Sequence, residues 1–364
     1  MGFRCGIVGL PNAGKSTIFN ALTAAGAEVA GYRFCTIEPN VGIVPVPDKR
    51  LDAIAGRIRP KKVIPTTLEF IDIAGLVKGA SQGEGLGNQF LDYIRNVDAI
   101  AHAVRCFENE NVSHDYGSID PVRDIEVVRT ELILADLQTV DRRREKVEKL
   151  QRVGAREAVL EIDVYNVVRA ALNQGKGAAV LAMEGEKAAL LSDLHLLTAK
   201  PVFYIANVDP KELRGEGACL KQLKESVDKE KGRLVIICGD LESEISELEE
   251  GEREEFRREL GLEGSSLDRL IRVGYEVLNL VTFYTTVSSE LRAWTVPHGT
   301  PAPRAAGKIH SDMERGFIRA EVLSYETFMA CGSEHVAREK GLLRAEGKDY
   351  LVQDGDIVHF RFNV

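Results

Sequence analysis

The stretch GLPNAGKST, Gly9 to Thr17, decides the fold, and it follows the apolar run CGIVG. Its spacing, G-x-x-x-x-G-K-S, is typical of a loop that joins a strand to a helix and turns its backbone N–H groups towards phosphate oxygens. The next segment, IFNALTAA, predicts that helix, whose positive N-terminal end favours anions. The stretch therefore predicts a nucleoside triphosphate site but does not identify the base.

Several side chains of this loop have predicted roles. Lys15 is expected to neutralise charge on the β- and γ-phosphates, and the Ser16 hydroxyl is expected to ligate Mg²⁺. The loop residues assigned to the nucleotide are Asn12, Ala13, Gly14, Lys15, Ser16 and Thr17. The Asn12 side chain also offers an oxygen to a monovalent cation such as K⁺, which would place a positive charge beside the phosphates.

Two further motifs match the metal end of such a site. LEFIDIAGL ends an apolar strand at Asp72 and places Gly75 three residues later. Asp72 is expected to hold Mg²⁺ through water, and the Gly75 N–H is expected to sense the γ-phosphate. Thr36, in FCTIEPN, is expected to add a second hydroxyl to the metal and to order its loop when the triphosphate is present. An ordinary loop threonine is the alternative for Thr36.

Hydrolysis needs a group that orients the attacking water, and many switch proteins place a Gln directly after D-x-x-G. Here Gly75 is followed by Leu76, which can neither position water nor transfer a proton. Slow intrinsic hydrolysis is therefore expected unless another group supplies this function. His114, in the polar loop FENENVSHDYG, is the candidate because imidazole titrates near neutral pH. An exposed histidine without a catalytic role is the alternative.

The base is expected to lie beside ANVDPKE, which follows the apolar run PVFYI. Guanine sites carry Asn-Lys-x-Asp at such a strand end because a carboxylate accepts hydrogen bonds from guanine, whereas it would repel the lone pair of adenine N1. Here the second and fourth residues are Val208 and Pro210. Asn207 and Val208 are predicted to contact a purine, with Cys238 lining it, and adenine preference or relaxed base choice is expected. A loop that only turns a strand into a helix is the alternative.

Composition limits the class of protein. The chain has 364 residues, a formal net charge of -9 and 44% hydrophobic residues, which suits a soluble protein of two or three domains. The negative charge argues against broad nucleic-acid binding but permits a local RNA contact. No apolar run approaches about 18 residues and no signal-like leader is evident, so a cytoplasmic protein without a membrane partner is expected. The six scattered cysteines fit reduced thiols.

Alternation of strand-like and helical segments predicts an α/β fold with a mostly parallel sheet. Apolar residues such as Ile125, Val128 and Leu132 recur at helical spacing among dense charge, which predicts a helical coiled-coil insertion. The C-terminal part has turns at HGT and DGD and predicts a small β-rich domain. The expected boundaries are 1–118 for the first part of the nucleotide-binding domain, 119–199 for the insertion, 200–280 for completion of the nucleotide-binding domain and 281–364 for the C-terminal domain.

Together, GLPNAGKST, YRFCTIEPNVG and DIAGLVKGASQGEGLGNQFL resemble the Obg-like branch of translation-factor-related P-loop proteins. The segments RAWTVPHGTPAPRAAGKIHSDMERGFIRAEV and EGKDYLVQDGDIVHFRFNV resemble the TGS domain of its YchF/Obg-like ATPase subfamily. The resemblance implies a G-domain-like P-loop NTPase interrupted by the coiled coil, with a C-terminal β-grasp-like α+β TGS domain. It also implies a Mg²⁺-dependent ATPase, able to hydrolyse GTP, that binds the ribosome or its large subunit and regulates translation or stress responses.

One position departs from this subfamily, which carries Asn-x-x-Glu in the base loop. Pro210 stands where the subfamily has glutamate. Asp209 or Glu212 is an alternative carboxylate, and reading of the base by main-chain groups alone is another. The effect of Pro210 on the choice between ATP and GTP does not follow from the sequence.

Three functions fit the phosphate loop to different degrees. An ATP-driven switch uses every motif, and a nucleotide-dependent binding regulator with relaxed specificity uses them without needing hydrolysis. A metabolic kinase is disfavoured because it leaves D-x-x-G, Thr36 and the TGS-like tail without a purpose. Basic residues of the predicted arm could contact rRNA phosphates or form a solvated face, and they include Arg142, Arg143, Arg144, Lys146 and Lys149.

Overall fold

The structure is a computed structural model. It describes residues 2–24, 40–73, 86–109, 116–151, 157–213, 217–262, 264–287 and 289–363. The chain forms two units, the first from Met1–Val44 and Glu69–Gly274 and the second from Pro45–Leu68 and Tyr275–Val364. Thr36, Gly75 and His114 lie outside the described residues, so their predicted roles stay predictions.

The strands and helices of the described residues are numbered in chain order. The strands are β1 (Phe3–Val8), β2 (Asn40–Pro45), β3 (Lys62–Ile64), β4 (Thr67–Asp72), β5 (Ala99–Cys106), β6 (Val202–Val208), β7 (Leu234–Ile237), β8 (Leu280–Val287), β9 (Glu290–Pro297), β10 (Phe317–Ser324), β11 (Arg344–Glu346) and β12 (Asp356–Phe362). The α-helices are α1 (Lys15–Ala24), α2 (Lys49–Ile58), α3 (Leu86–Arg95), α4 (Pro121–Gln151), α5 (Glu157–Asn173), α6 (Gly185–Asp193), α7 (Ala218–Lys229), α8 (Gly239–Glu247), α9 (Glu250–Glu259), α10 (Ser266–Val277), α11 (Ala302–Ile309), α12 (Ser311–Arg315), α13 (Tyr325–Cys331) and α14 (Glu334–Glu339). Short 3₁₀ turns cover Ala178–Val180, Leu197–Ala199 and Pro210–Glu212.

The first unit is built on a six-stranded sheet in the order β2-β4-β1-β5-β6-β7. β1 pairs in parallel with β5, β5 with β6, and β6 with β7. Every residue of β5 is buried, as expected of a strand in a parallel sheet covered on both faces. The carboxyl ends of these parallel strands meet at one edge, where ligands bind in open α/β folds. The predicted α/β class with a mostly parallel sheet is confirmed.

Helix α4 has two different environments along its length. Val128 and Leu132, near its beginning, pack in a core cluster with Ile100 of the sheet. Farther along, Val140 packs in a second cluster with Val168 and other residues of α5. The same 31-residue helix therefore covers the sheet first and then forms the helical insertion together with α5. None of the helices in the described ranges is long and apolar enough to span a lipid bilayer.

The second unit contains a mixed six-stranded sheet in the order β11-β10-β12-β8-β9-β3. Helices α2 and α11 to α14 belong to the same unit. The β8–β9, β10–β11 and β10–β12 pairs are antiparallel, whereas β12–β8 and β3–β9 are parallel. This sheet with its helices gives the unit an α+β character.

Residues 45–68 belong to this second unit, although the sequence boundaries place them within 1–118. Two contacts explain this. β3 pairs with β9, which is far away in sequence, and α2 packs against residues of β8 and β9. Leu51 and Ile54 of α2 lie in the same apolar cluster as Tyr284 and Leu291.

Candidate nucleotide site

The loop between β1 and α1 has the tight backbone that its glycines predict. Gly9 has φ 155° and Gly14 has φ 81°, a region that L side chains rarely adopt. A Cβ at Gly9 would collide with the Ala103 carbonyl oxygen, and one at Gly14 would collide with the Asn207 side-chain amide. Asn12 also lies in the left-handed region, at φ 61°. The backbone thus curls tightly at the carboxyl edge of the sheet, as a phosphate loop requires.

Lys15 is buried at the start of α1 and reaches back over the loop. Its Nζ donates a hydrogen bond to the Leu10 carbonyl oxygen at 2.9 Å. The first helical hydrogen bond, from Ile18 N–H to the Gly14 carbonyl, has a length of 3.0 Å and fixes the helix directly behind the loop. A buried ammonium beside a helix N-terminus provides a site for an anion such as phosphate.

Ser16 and Asp72 come together although they are far apart in sequence. The Ser16 hydroxyl donates to Asp72 Oδ2 at 2.8 Å. The other oxygen, Asp72 Oδ1, is buried and has no hydrogen-bond partner among the described residues. A hydroxyl, a carboxylate and an unsatisfied oxygen are the hard ligands that Mg²⁺ accepts, directly or through water.

The Mg²⁺ prediction therefore fits the residues present. Over the described ranges, no group of three or more His, Cys, Asp or Glu side chains lies together as a metal cluster. This is compatible with Mg²⁺ in a P-loop site, because that ion is held by few protein oxygens and completes its shell with phosphates and water.

Asn207 connects the phosphate loop to the loop after β7. Its Nδ2 donates to the Ala13 carbonyl at 3.1 Å, and its Oδ1 accepts from the Gly239 N–H at 3.0 Å. The side chain is buried at the carboxyl end of β6. Cys238, one residue before Gly239, is also buried, and burial raises the pKa of its thiol, so the thiol stays neutral. The sequence predicts that Asn207 and Cys238 lie at the base. The structure brings Asn207 beside the phosphate loop, whereas Cys238 packs in an apolar cluster with Leu241 and Ile245.

Val208 faces the other way. Its buried side chain packs in an apolar cluster with Cys106 and Leu220, and strand alternation places it on the face opposite Asn207. Contact of its side chain with a purine is therefore not what the fold provides, and only its backbone remains available.

The residues after Val208 present no carboxylate in the place of the guanine-binding Asp. Pro210 is exposed and begins a 3₁₀ turn. Asp209 Oδ2 accepts from the Glu108 N–H at 3.3 Å. The Glu212 carboxylate lies against Gly217, where an added Cβ would collide with it, at the start of α7.

One neighbour of the loop is missing from the sequence predictions. Phe107 follows β5, and its Cε1 lies 4.0 Å from the point where a Cβ of Gly14 would stand. The Arg105 guanidinium covers the Phe107 ring at 4.6 Å from its centroid. The signal available in the sequence was position, since an aromatic residue directly after a central parallel strand falls at the ligand edge of the sheet.

The parallel sheet, the phosphate loop after β1 and the Ser16–Asp72 pair define a P-loop nucleoside triphosphatase. A family model described as "50S ribosome-binding GTPase" matches residues 4–159. The C-terminal model of YchF GTPases, described as "Protein of unknown function (DUF933)", matches residues 280–363. The chain belongs to the YchF family, which confirms the resemblance read from the sequence motifs.

Relatives match this chain over its whole length. A curated "Ribosome-binding ATPase YchF" from Escherichia coli O157:H7 is 52% identical over 364 residues, covering 100% of both chains. The protein of the same name from Bacillus subtilis (strain 168) is 50% identical over 366 residues, again covering 100% of both. The solved structure of the Schizosaccharomyces pombe YchF GTPase aligns with a TM-score of 0.88 at 34% identity, covering 99% of this chain and 98% of that one.

Proposed function

We propose that this protein is a Mg²⁺-dependent ATPase that binds the ribosome through its large subunit and changes that binding with its nucleotide state, so that it regulates translation or a stress response. The curated relatives carry the name ribosome-binding ATPase, which supports the proposal. The observation that carries it is the Ser16–Asp72 pair, with one buried carboxylate oxygen that has no partner among the described residues. Such a pair has a clear use when a triphosphate and its metal are present.

The chain's own groups bind and orient the triphosphate. The backbone of residues 12–17 and the Lys15 ammonium hold the phosphate oxygens. Ser16 and Asp72, with Thr36 as a third residue, are the proposed Mg²⁺ residues, and Gly75 is proposed to contact the γ-phosphate. When bound, Mg²⁺ neutralises phosphate charge.

ATP is the proposed substrate, and GTP is a second substrate. Guanine selection needs a carboxylate that accepts two hydrogen bonds, and Pro210 occupies that place. Asp209 accepts from the Glu108 N–H, and the Glu212 carboxylate lies close to Gly217 with its Oε2 buried. Main-chain groups near Val208 and Cys238 therefore read the base in this proposal. A binding regulator with relaxed ATP and GTP specificity, in which hydrolysis is secondary, is the alternative.

Slow intrinsic hydrolysis follows from Leu76, which stands where other switches carry Gln. We assign the water-orienting role to His114 and a K⁺ contact to Asn12. Replacing His114 with Ala should lower turnover and leave ATP affinity nearly unchanged; equal turnover in both proteins would remove His114 from the mechanism. Faster hydrolysis in KCl than in NaCl supports the K⁺ contact, and equal rates would remove it.

The helical insertion, 119–199, and the predicted TGS domain, 281–364, are the proposed ribosome contacts, which places the protein in the cytoplasm. The test is single-turnover hydrolysis of ATP with and without large ribosomal subunits, together with co-sedimentation in ATP, ADP or no nucleotide. Binding that depends on nucleotide, with faster hydrolysis on the ribosome, supports the switch. Nucleotide-dependent ribosome binding with an unchanged hydrolysis rate favours the binding regulator. Ribosome binding that is the same in ATP, ADP and no nucleotide contradicts both functions.

A further inference from the structure

A cavity of about 490 Å³ lies between the sheet of the first unit, helix α4 and the turns that follow α5. Its walls are mostly apolar side chains, which are Ile100 and Val202 from the sheet, Val128 and Leu132 from α4, and Leu197 from the last turn. The volume falls within the range of small-molecule sites, roughly 300 to 1,000 Å³, which are typically apolar with a few placed polar groups. None of the residues proposed above for the nucleotide lines it.

His102 is the polar group on the floor of this cavity. It lies on β5 opposite Tyr204 of β6, with ring centroids 5.7 Å apart, and is only 4% exposed. None of the described residues forms a hydrogen bond with its ring nitrogens, although it lines the cavity. Burial, with the nearby charges of Arg129 and Lys15, lowers the pKa of His102 to about 3. The imidazole is therefore neutral at physiological pH and presents one N–H donor and one nitrogen acceptor.

The charged side chains on the inner walls of the cavity already have partners, whereas Lys176 lies at the exposed entrance. Arg129 binds Glu230 at 2.6 Å and Glu126 at 2.9 Å, and the Tyr204 hydroxyl also donates to Glu230, at 3.2 Å. Lys200 donates to main-chain carbonyl oxygens. A charged ligand would have to compete with these pairs or enter apolar surroundings unpaired, which is costly. The available chemistry thus favours a neutral ligand.

The cavity also has an exposed entrance. The segment from Gly175 to Val180, between α5 and α6, contributes to its lining, and Ala179 and Val180 are exposed to solvent. One wall behind this entrance is fixed, because the buried Asp136 carboxylate accepts from the N–H groups of Leu197 and Thr198, each at 2.8 Å. A ligand can therefore enter from solvent without unpacking the core.

We infer that this cavity binds a small, neutral, mostly apolar molecule with one hydrogen-bonding group, which the imidazole of His102 engages. Such a ligand would fill the space between β6, which leads to the nucleotide site, and α4, which leads into the helical insertion. β6 continues from Tyr204 to Asn207, which holds the phosphate loop, and α4 continues into the helical insertion. Occupancy would thus stabilise one arrangement of the arm against the sheet.

The test uses 5-fluoroindole as the probe and ¹⁹F NMR of the full-length protein. The wild type should broaden and shift the probe resonance saturably. His102→Leu should weaken binding about threefold to tenfold through loss of one hydrogen bond. Its melting temperature should not fall, because the change removes a buried polar group that has no partner among the described residues. Ala179→Trp should block the entrance and abolish binding, whereas Val159→Ala, a change at an exposed apolar residue of α5, should bind the probe like the wild type.

Each outcome decides the inference. No saturable binding to the wild type would overturn it, as would equal affinity of the wild type, His102→Leu and Ala179→Trp. ATP titration of the same variants is the folding control, because Ala179 and His102 are not among the proposed nucleotide contacts. A wild type that binds the probe but not ATP would instead count against the proposed function and leave the cavity site standing.

Discussion

The phosphate end and the base end of the nucleotide site differ in how they are built. At the phosphate end, glycine conformations, a buried lysine and the Ser16–Asp72 pair come together as their motifs predict. At the base end, the Asn207 side-chain amide forms its two hydrogen bonds with Ala13 of the phosphate loop and with Gly239. Pro210 stands where guanine sites carry the Asp carboxylate. We therefore expect phosphate binding to depend on backbone geometry and buried charge, and base selection to be weak because the guanine-binding carboxylate is absent. Substitutions should have large effects at the first end and small ones at the second.

The largest effect is expected for Lys15→Ala. Removing a buried cation that pairs with phosphate should weaken ATP binding about a hundredfold or more. Calorimetric titration with ATP measures it, and Lys221→Ala, an exposed lysine of α7, is the matched control. Nearly unchanged affinity in Lys15→Ala would mean that the loop binds no phosphate.

Asp72→Asn tests the metal end. An amide oxygen can still accept from the Ser16 hydroxyl, so the substitution removes the charge and keeps the contact. The Mg²⁺ concentration needed for half-maximal turnover should rise about tenfold, as expected for loss of a charge-assisted contact. Asp92→Asn, at an exposed residue of α3, is the control. An unchanged Mg²⁺ requirement would place the metal elsewhere.

Asn207→Ala tests whether this residue supports the loop or reads the base. Two hydrogen bonds are lost, to Ala13 and from Gly239, so ATP and GTP affinity should both fall about tenfold. Comparing the two nucleotides by titration separates the roles. If the affinity falls for only one of the two nucleotides, Asn207 reads the base, and the base end then also selects the nucleotide through a side chain.

The smallest effect is expected at Pro210. Pro210→Asp restores the carboxylate of the guanine motif and should raise GTP affinity relative to ATP by about threefold to tenfold. Pro210→Asn has a similar shape without the charge and should shift the ratio less. A ratio that responds equally to both substitutions would show that the loss of proline, not the carboxylate, controls base choice.

Local pattern explains which parts of the molecule the sequence predicted. The phosphate loop and the first half of α4 depend on short-range spacing. GLPNAGKST was therefore enough to predict the loop, and the helical repeat of Val128 and Leu132 was enough to predict the helix. Long-range contacts left no such signal. The pairing of β3 with β9 joins residues 62–64 to a strand near residue 290, and three residues are too few to show a period.

The same limit applies to single side chains. His102 sits inside the apolar run AIAHAV and resembles an ordinary buried strand residue until its neighbours across the sheet are known. The two hydrogen bonds of Asn207 and the position of the Phe107 ring beside Gly14 also join residues that are far apart in sequence, so they could be identified only from the packed edge of the sheet. Spacing predicts which residues share an edge, but partner atoms are set by tertiary packing.

The central claim is that this site binds a purine triphosphate without selecting guanine. Titration calorimetry with ATP, ADP, GTP and GDP in one Mg²⁺-containing buffer tests it most directly. We predict measurable ATP binding that is at least as tight as GTP binding. Tight GTP binding with no measurable ATP binding would contradict the claim.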